Sequence, residues 1–201
     1  MKTKIKTNLL FSMIKKLYYY IFFTLTVSFL HAQNFDINTL KKINVNRNKS
    51  LDGTMKFLSA TATPVSIALP GSMVIAGFIT RNKNLRHNGY ELALAAAGNF
   101  VVTRIVKLAV NRPRPFVTYP YIDPYKKSVI DYSFPSGHAS TAFAVATTLS
   151  IQYKKWYVAV PVYLWAAGVS YSRMHLGVHY PTDVMAGAVF GAGSSLVAHQ
   201  I

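Results

Sequence analysis

Three short clusters in the second half of the chain contain the residue types that phosphoryl transfer through a histidine requires. Lysine and arginine neutralise phosphate oxygens, and one arginine can bind two of them at once. One histidine can attack phosphorus, a carboxylate can orient that histidine, and a second histidine can protonate the leaving group. In chain order the clusters are Lys107 with Arg114-Pro115, Pro135-Ser136-Gly137-His138, and Ser172-Arg173 with His179 and Asp183. Their order and spacing together predict a phosphate-ester active site, although no single cluster is specific.

The last cluster contains the candidate histidine–carboxylate pair. His179 and Asp183 are four residues apart and flank Pro181, a residue that favours the first turn of a helix. Asp183 can therefore reach back to Nδ1 of His179, which fixes the tautomer and leaves Nε2 free to attack. Arg173 is predicted to clamp the phosphate oxygens. His175 lies in the same loop and receives no role, because a packing position explains it equally well.

The middle cluster is predicted to open a helix. Ser136 is a favourable N-cap residue, and Gly137 lets an anion approach the backbone closely. A helix N-terminus offers unpaired N–H groups and a positive dipole end, so His138 would project beside any anion bound there. The alternative is an ordinary capped helix start with a histidine at the membrane interface.

The first cluster combines a lysine at the end of an apolar run with an arginine in the loop that follows. Pro113 and Pro115 bias the residues before them away from helix, so Lys107 should end its helix while Arg114 comes from the loop. The alternative is that these cations contact lipid head groups. Arg112 is assigned to that alternative role, as a head-group contact.

The remaining histidines do not indicate a metal site. His31, His87 and His199 have no carboxylate partner nearby in the sequence and are predicted to lie at the surface or at span ends. No His-x-x-x-His pair carries a glutamate, there is no cysteine, and the surrounding cations would repel a metal ion. The predicted chemistry therefore uses neither a metal nor another cofactor.

The composition predicts a membrane protein with anionic partners. The 201 residues include 51% hydrophobic and only 14% charged residues, which is too apolar for an ordinary soluble domain. A balance of 22 basic against 6 acidic residues, a net charge of +16, favours nucleic acid or anionic lipid as a partner. The basic residues lie at the ends of apolar runs, so anionic membrane lipids fit this pattern and nucleic acid does not. Zero cysteines exclude disulfides and thiolate chemistry.

The hydropathy pattern divides the chain into three parts. Residues 1–33 combine lysines with a short apolar stretch, as in a signal peptide, and a retained signal anchor is the alternative. Residues 34–53 are predicted to form a polar extracytoplasmic segment, and residues 54–201 the membrane domain. Five apolar runs predict an all-α, membrane-embedded bundle of about five transmembrane helices, with a soluble all-α protein as the alternative. The runs are Phe57–Thr80, Leu92–Val110, Gly137–Tyr153, Trp156–Ser172 and Val184–Ile201, the last with a Gly187/Gly191 pair that favours close helix packing.

The basic loops predict which side of the membrane holds the clusters. Residues 81–86 and the Lys154-Lys155 turn would face the cytoplasm under the positive-inside tendency. The two longer loops, 111–136 and 173–183, then lie outside and bring all three clusters to the extracytoplasmic end of the bundle. The predicted location is therefore a bacterial inner membrane, with the active site facing the periplasm.

The three clusters resemble the signature motifs of the type 2 phosphatidic acid phosphatase and vanadium haloperoxidase superfamily. The resemblance covers roughly Phe57 to the C-terminus, with every signature position present in order. It implies an all-helical core in which His179 attacks to form a phosphohistidine, Asp183 orients it and His138 is the general acid. It also implies that the phosphate oxygens are held by Lys107, Arg114, Ser136, Gly137 and Arg173. Many members have six spans where five are predicted here, and an uncleaved first segment would supply the sixth.

The sequence thus predicts an integral membrane phosphatase that hydrolyses lipid phosphate monoesters or diphosphates without a metal. Phosphatidic acid, undecaprenyl diphosphate, phosphatidylglycerol phosphate and lipid A phosphates are all compatible substrates. The alternatives are a non-specific acid phosphatase of the same superfamily, a vanadate-binding haloperoxidase, and a non-catalytic lipid-binding or transport protein. Membrane spans argue against the haloperoxidase, and the intact set of His138, His179 and Asp183 argues against a non-catalytic protein. No feature of the sequence predicts an oligomeric state.

Overall fold

The computed structural model describes residues 34–126 and 131–201, and all of the regular structure among them is helical. The all-α prediction is therefore confirmed, while the predicted signal sequence lies outside the described residues. Residues Thr39–Ile201 form one compact unit, and the described part of Met1–Asn38 is helical. The elements are α1 (34–44), a 3-10 turn (Lys49–Leu51), α2 (Asp52–Ile79), α3 (Lys83–Val110), α4 (Pro115–Thr118), α5 (Gly137–Tyr153), α6 (Trp156–His175) and α7 (Pro181–His199).

Two stretches in the described part of the chain have both the length and the hydropathy of a membrane span, namely Lys49–Ile79 and Lys83–Thr118. Helices α2 and α3 have 28 residues each, about 42 Å at 1.5 Å per residue, against a hydrocarbon core of about 30 Å. Helices α5, α6 and α7 are shorter, with 17, 20 and 19 residues. Each of the five apolar runs thus coincides with a helix, and the number of membrane spans stays a prediction.

The helix bounds follow capping and side-chain pairing as well as apolarity. Helix α5 has the predicted bounds, but α3 begins nine residues before the apolar run, where the Asn82 side chain accepts a hydrogen bond from the Leu85 amide. Helix α6 continues past Ser172 to His175, and in its last turn Arg173 pairs with Ser59 and His175 with Asp52, both toward the start of α2. Helix α7 begins at Pro181, the position that its fixed φ favours.

Helices α5 and α7 pack backbone against backbone. A Cβ added at Gly187 would lie 2.7 Å from the Ser136 carbonyl oxygen, and one at Gly191 would overlap the Ser140 carbonyl. Only glycine permits this approach, as the Gly187/Gly191 pair predicts. The contact brings the starts of the two helices together, so that the Ser136 amide donates to the Asp183 carbonyl at 2.9 Å.

Helices α2 and α3 form a hairpin whose turn lies at the opposite end of the bundle from α4. Near this turn they are in close contact, with Gly77 against Arg86 and Gly89 against Val74. Farther from the turn, α2 packs on α6 instead, where the Trp165 indole donates to the Thr61 hydroxyl at 2.9 Å. The end that carries α4 and residues 176–180 is called the site end below.

A polar network joins three helices at the end opposite the site end. His199 Nδ1 lies 2.9 Å from Glu91 Oε1, and Gln152 donates to Glu91 Oε2 at 3.1 Å. His199 is the last residue of α7, as predicted, and its carboxylate partner could not be found from neighbouring residues because it lies more than 100 residues away in the sequence. The network links α3, α5 and α7 around a buried glutamate.

Candidate active site

All three clusters converge on one cavity of about 680 Å³ at the site end. Six of the eight predicted site residues line it, and the other two, Ser136 and Asp183, lie immediately behind the lining. Ser136 precedes Gly137 in the chain, and Asp183 contacts His179. The predicted residues in the lining are Lys107, Arg114, Gly137, His138, Arg173 and His179. The cavity is also lined by residues that were not predicted, namely Thr63, Asn99, Phe100, Thr103, Arg104, Tyr125, Lys126, Asp131 and Thr141.

His179 is buried in the short loop between α6 and α7. Its Nε2 lies 3.2 Å from Arg114 Nη1, and since a guanidinium can only donate, Nε2 carries the lone pair. Burial, followed by the positive charges of Arg114 and Arg173, lowers the pKa of His179 well below its ordinary value. The neutral imidazole therefore presents an unprotonated Nε2 beside two arginines, which is the state a nucleophile requires.

The loop that carries His179 makes a tight turn at Gly177, whose φ of +68° lies in the left-handed region. A Cβ there would lie 2.8 Å from the Asp123 carbonyl oxygen and 2.8 Å from the Asn44 amide nitrogen. Glycine is required both for the dihedral angle and for the space. This turn lies two residues before His179 and packs against Asn44, Ile122 and Asp123.

Asp183 is fully buried and fixed by several donors. Its Oδ2 accepts from the Tyr180 amide at 2.8 Å and from the Ser133 hydroxyl, and its Oδ1 accepts from Arg112 Nη1 at 2.8 Å. The distance from Oδ2 to His179 Nδ1 is 3.5 Å, longer than a direct hydrogen bond, and Nδ1 has no other hydrogen-bond partner among the described residues. Asp183 thus stands in the orienting position beside the Nδ1 edge of the ring.

Arg112 does not occupy the head-group position assigned to it from the sequence. It pairs with Asp183, and its guanidinium lies 3.9 Å from the centre of the Tyr180 ring. A buried carboxylate needs a compensating charge, and Arg112 supplies it from the loop before α4. The prediction of a head-group contact was wrong because the sequence does not reveal that residues 112 and 183 meet.

Arg114 and Arg173 line the cavity from different segments of the chain. Arg114 precedes α4 and donates from Nε to the Asp131 carbonyl at 2.8 Å and from Nη1 to the Val178 carbonyl at 2.8 Å. Arg173, in the last turn of α6, donates to the Ser59 hydroxyl of α2, and its Nε finds no acceptor in the part of the chain described. Both guanidinium groups are almost completely buried, and Arg173 keeps a donor available to an anion.

The start of α5 forms the third wall. Ser136 is the N-cap residue of α5, as predicted, but its buried hydroxyl makes no cap bond and has no partner within residues 34–126 and 131–201. A Cβ at Gly137 would meet only the Thr103 methyl at 4.0 Å, so the backbone here is open to the cavity. His138 lies in the first turn and lines the same space. Because an unpaired buried donor costs about 1–3 kcal/mol, these groups are suited to bind an anion.

Lys107 lies in the last turn of α3, as predicted, and donates to the Tyr132 carbonyl. Its Nζ is also 3.4 Å from Asp131 Oδ2, while Arg104 Nη1 lies 2.9 Å from Asp131 Oδ1. Burial acts to raise the pKa of Asp131, but Lys107, the Tyr132 amide and Arg104 together hold it below its ordinary value. Asp131 therefore stays ionised between the two cations.

The unpredicted residues include four that form ion pairs or hydrogen bonds with acidic or basic groups of the site: Arg104, Arg112, Asp131 and Ser133. The scarcity of acidic residues was an unused signal, because a chain with 22 basic residues and only 6 acidic ones gives each carboxylate many possible partners. His175 is also paired, with Nε2 2.9 Å from Asp52 Oδ1. No group of three or more histidine and acidic side chains within the described ranges is arranged to hold a metal ion.

Comparison with known proteins identifies relatives over most of the chain. The family model of the PAP2 superfamily matches residues 89–201, which contain all eight predicted site residues. An undecaprenyl-diphosphatase from Sulfolobus acidocaldarius is 33% identical over 169 residues, 83% of this chain and 78% of that protein. A lipid A 4'-phosphatase from Bacteroides thetaiotaomicron is 42% identical over 74 residues, 35% of this chain and 33% of that protein. A transmembrane PAP2-type phosphatidylglycerolphosphate phosphatase from Bacillus subtilis shares the fold, with a TM-score of 0.70 and 21% identity over 90% of this chain and 92% of that one.

Proposed function

Because the chain belongs to the PAP2 superfamily, we propose that it is an integral membrane phosphatase that hydrolyses lipid phosphate monoesters or diphosphates. The observation that carries this proposal is the convergence of an unprotonated His179 Nε2, two buried arginines and the open start of α5 on one cavity. Matched relatives are named for undecaprenyl diphosphate and lipid A phosphate. Phosphatidic acid and phosphatidylglycerol phosphate have the same terminal phosphate and belong to the same proposed substrate class.

The proposed reaction proceeds through a phosphohistidine. Nε2 of His179 attacks phosphorus, the bond to the leaving oxygen breaks with its electron pair, and the imidazolium form of His138 gives that oxygen a proton. Water then attacks the phosphohistidine and returns a proton to His138, releasing orthophosphate. The non-bridging oxygens are held by Lys107, Arg114, Ser136, Gly137 and Arg173.

Asp183 is proposed to act on the ring that attacks. A proton on Nδ1 points toward the carboxylate at 3.5 Å, and the positive charge that develops on the imidazole is stabilised by that carboxylate. Arg112, Ser133 and the Tyr180 amide hold the carboxylate in place. They act as positioning groups rather than as substrate contacts.

The shape of the cavity supports a lipid as substrate. Its lining continues from Lys107 along α3 to Asn99, about 12 Å at 1.5 Å per residue. Phe100 and Thr63 form its far walls on α3 and α2, and Phe100 is 70% exposed on the outer surface. A lipid could therefore reach the site sideways from the bilayer, with its head group at His179 and its chain between α2 and α3.

The proposed location is a bacterial inner membrane crossed by α2, α3, α5, α6 and α7, with the site facing the periplasm. The turns that carry Arg81, Lys83, Lys154 and Lys155 lie at the opposite end of the bundle from the site end. Their positive charge supports a cytoplasmic position for that end. The anionic lipid surface on the other side would meet the cations of the cavity.

Phosphate release by the purified full chain in detergent tests the proposed function. Wild type should release orthophosphate from phosphatidic acid or a polyprenyl diphosphate, with or without EDTA, and vanadate should inhibit. His179→Ala should lower turnover by several orders of magnitude because water cannot replace a covalent nucleophile at a similar rate. Lys83→Gln, at the exposed start of α3, is the matched control for handling and charge. This mechanism would be wrong if His179→Ala kept near wild-type turnover, or if EDTA abolished the turnover of wild type.

A further inference from the structure

Arg104 is a cation in the cavity that the phosphate site described above does not use. It lies one helical turn before Lys107 on α3, and both side chains line the same cavity. The Asp131 carboxylate bridges them, with Oδ1 2.9 Å from Arg104 Nη1 and Oδ2 3.4 Å from Lys107 Nζ. One part of the cavity therefore holds two cations around an anion that belongs to the protein itself.

The position of Arg104, Lys107 and Asp131 relative to His179 indicates which part of a bound substrate they would meet. Along α3 the lining runs from Lys107 through Arg104 to Phe100, away from the nucleophile and toward the membrane-facing surface. A lipid ester whose terminal phosphorus lies at His179 must extend past Arg104 to reach the bilayer. Arg104 thus lies beside the part of the substrate that joins the terminal phosphate to the lipid.

We propose that Arg104 forms a second anion subsite, which binds the lipid-proximal phosphate of a diphosphate substrate, and that Lys107 lies between the two phosphates and contacts both. Asp131 occupies this subsite until the substrate displaces it. The inference rests on the proposed function and narrows it to lipid diphosphates in preference to monophosphates. The side chains of Asp131 and Arg104 are 40% and 53% exposed, and solvent-exposed pairs of this kind are weak. A diphosphate carries more negative charge than one carboxylate and can form bidentate bonds with Arg104.

The subsite also fits the chemistry of the leaving group. When His179 Nε2 attacks the terminal phosphorus, the bond to the bridging oxygen breaks and its electron pair remains on that oxygen. The bridging oxygen becomes a terminal oxygen of the lipid monophosphate and takes the proton of the His138 imidazolium. Arg104 and Lys107 neutralise the anionic oxygens that the released lipid monophosphate retains, a charge that a released alcohol does not carry.

The test compares farnesyl diphosphate with farnesyl monophosphate, two substrates that share one lipid chain. Wild type should have a kcat/KM at least about tenfold higher for the diphosphate, equivalent to about 1.4 kcal/mol. Arg104→Gln should lower that preference at least about tenfold, to near unity, whereas Lys83→Gln at the other end of α3 should preserve it. Equal losses for both substrates in Arg104→Gln, or no preference in wild type, would overturn the subsite.

Asp131→Asn separates a displaceable anion from a residue that merely holds Lys107 in place. If Asp131 competes with the substrate, Asp131→Asn should lower KM for the diphosphate about threefold or more and give a smaller change for the monophosphate. A similar fall in kcat for both substrates would mean that Asp131 only positions Lys107, and would refute its displacement.

Binding without turnover distinguishes this inference from the proposed function. In the His179→Ala protein, inorganic pyrophosphate should raise Tm more than orthophosphate at equal concentration, and Arg104→Gln should remove the difference. Equal shifts for the two anions would refute the subsite even if both farnesyl substrates are hydrolysed. Suppose instead that pyrophosphate gives the larger Tm shift and that this difference depends on Arg104, but that wild type hydrolyses neither farnesyl substrate. That result would support the subsite and refute the phosphatase function.

Discussion

Replacing Arg112 by glutamine would leave the Asp183 carboxylate buried without its compensating charge. Asp183 is fully buried, the Arg112 side chain is 22% exposed, and 2.8 Å separates Nη1 from Oδ1. Removing one partner of a fully buried ion pair costs about 3–5 kcal/mol. The partial exposure of Arg112 and the remaining donors from Ser133 and Tyr180 reduce the expected loss to about 2 kcal/mol. At about 2–4 °C per kcal/mol for a chain of this length, Tm should fall by about 4–8 °C.

The double variant Arg112→Gln/Asp183→Asn isolates the charge as the cause. It removes both charges, keeps the shape of the side chain at 183 and leaves a polar side chain at 112, so Tm should return to within about 2 °C of wild type. Activity should not return, because an amide at position 183 leaves His179 without its stabilising carboxylate. Tm in detergent and phosphate release would be measured on the same preparations, with Lys83→Gln as the control. A single variant as stable as wild type, or a double variant less stable than the single, would refute the compensating role of Arg112.

Three further outcomes are expected. A reporter that is active only in the periplasm should work when fused after Pro120 and fail after Lys155, and the reverse pattern would place the site in the cytoplasm. Because burial and then Arg114 lower the pKa of His179, the unfolded chain binds its proton more readily, so Tm should fall as pH is lowered from about 7 to about 5. His179→Asn should reduce this fall in Tm, and the same pH dependence in wild type and variant would contradict a lowered pKa of His179. In micelles, kcat/KM for a diacyl phosphate should exceed that for p-nitrophenyl phosphate at least about tenfold, or about 1.4 kcal/mol; equal values would indicate a general acid phosphatase.

The local parts of the site could be predicted because they depend on spacing within one element. The four-residue separation of His179 and Asp183 around Pro181 predicts a shared helical turn, and the two residues do lie side by side. The start of α5 at Gly137 could be predicted because Ser136, the residue before it, is a favourable N-cap residue. Lys107 lies in the last turn of α3 because the proline-rich loop that follows Val110 cannot continue the helix.

The long-range pairs could not be predicted, because they depend on how separate loops fold against the helices. Arg112 and Asp183 are 71 residues apart, and they meet because α3, which Arg112 follows, packs against α7, which carries Asp183. Asp131 likewise meets Arg104 across 27 residues. Charge and hydropathy indicate that these carboxylates need basic partners, but they do not indicate which of the many basic side chains is the partner of each.

The backbone contact between α5 and α7 has a consequence for how the protein responds to its surroundings. Gly187 and Gly191 place α7 directly on α5, and the Ser136 amide is bonded to the Asp183 carbonyl. Two of the residues proposed for catalysis and phosphate binding are therefore carried on one tightly packed pair of helices. The far part of the cavity is instead bounded by α2 and α3, which are in close contact near their shared turn. With α2 and α3 in the bilayer as proposed, a change in bilayer thickness that tilts them would change the width of the proposed lipid passage before it changes the spacing between Asp183 and Ser136.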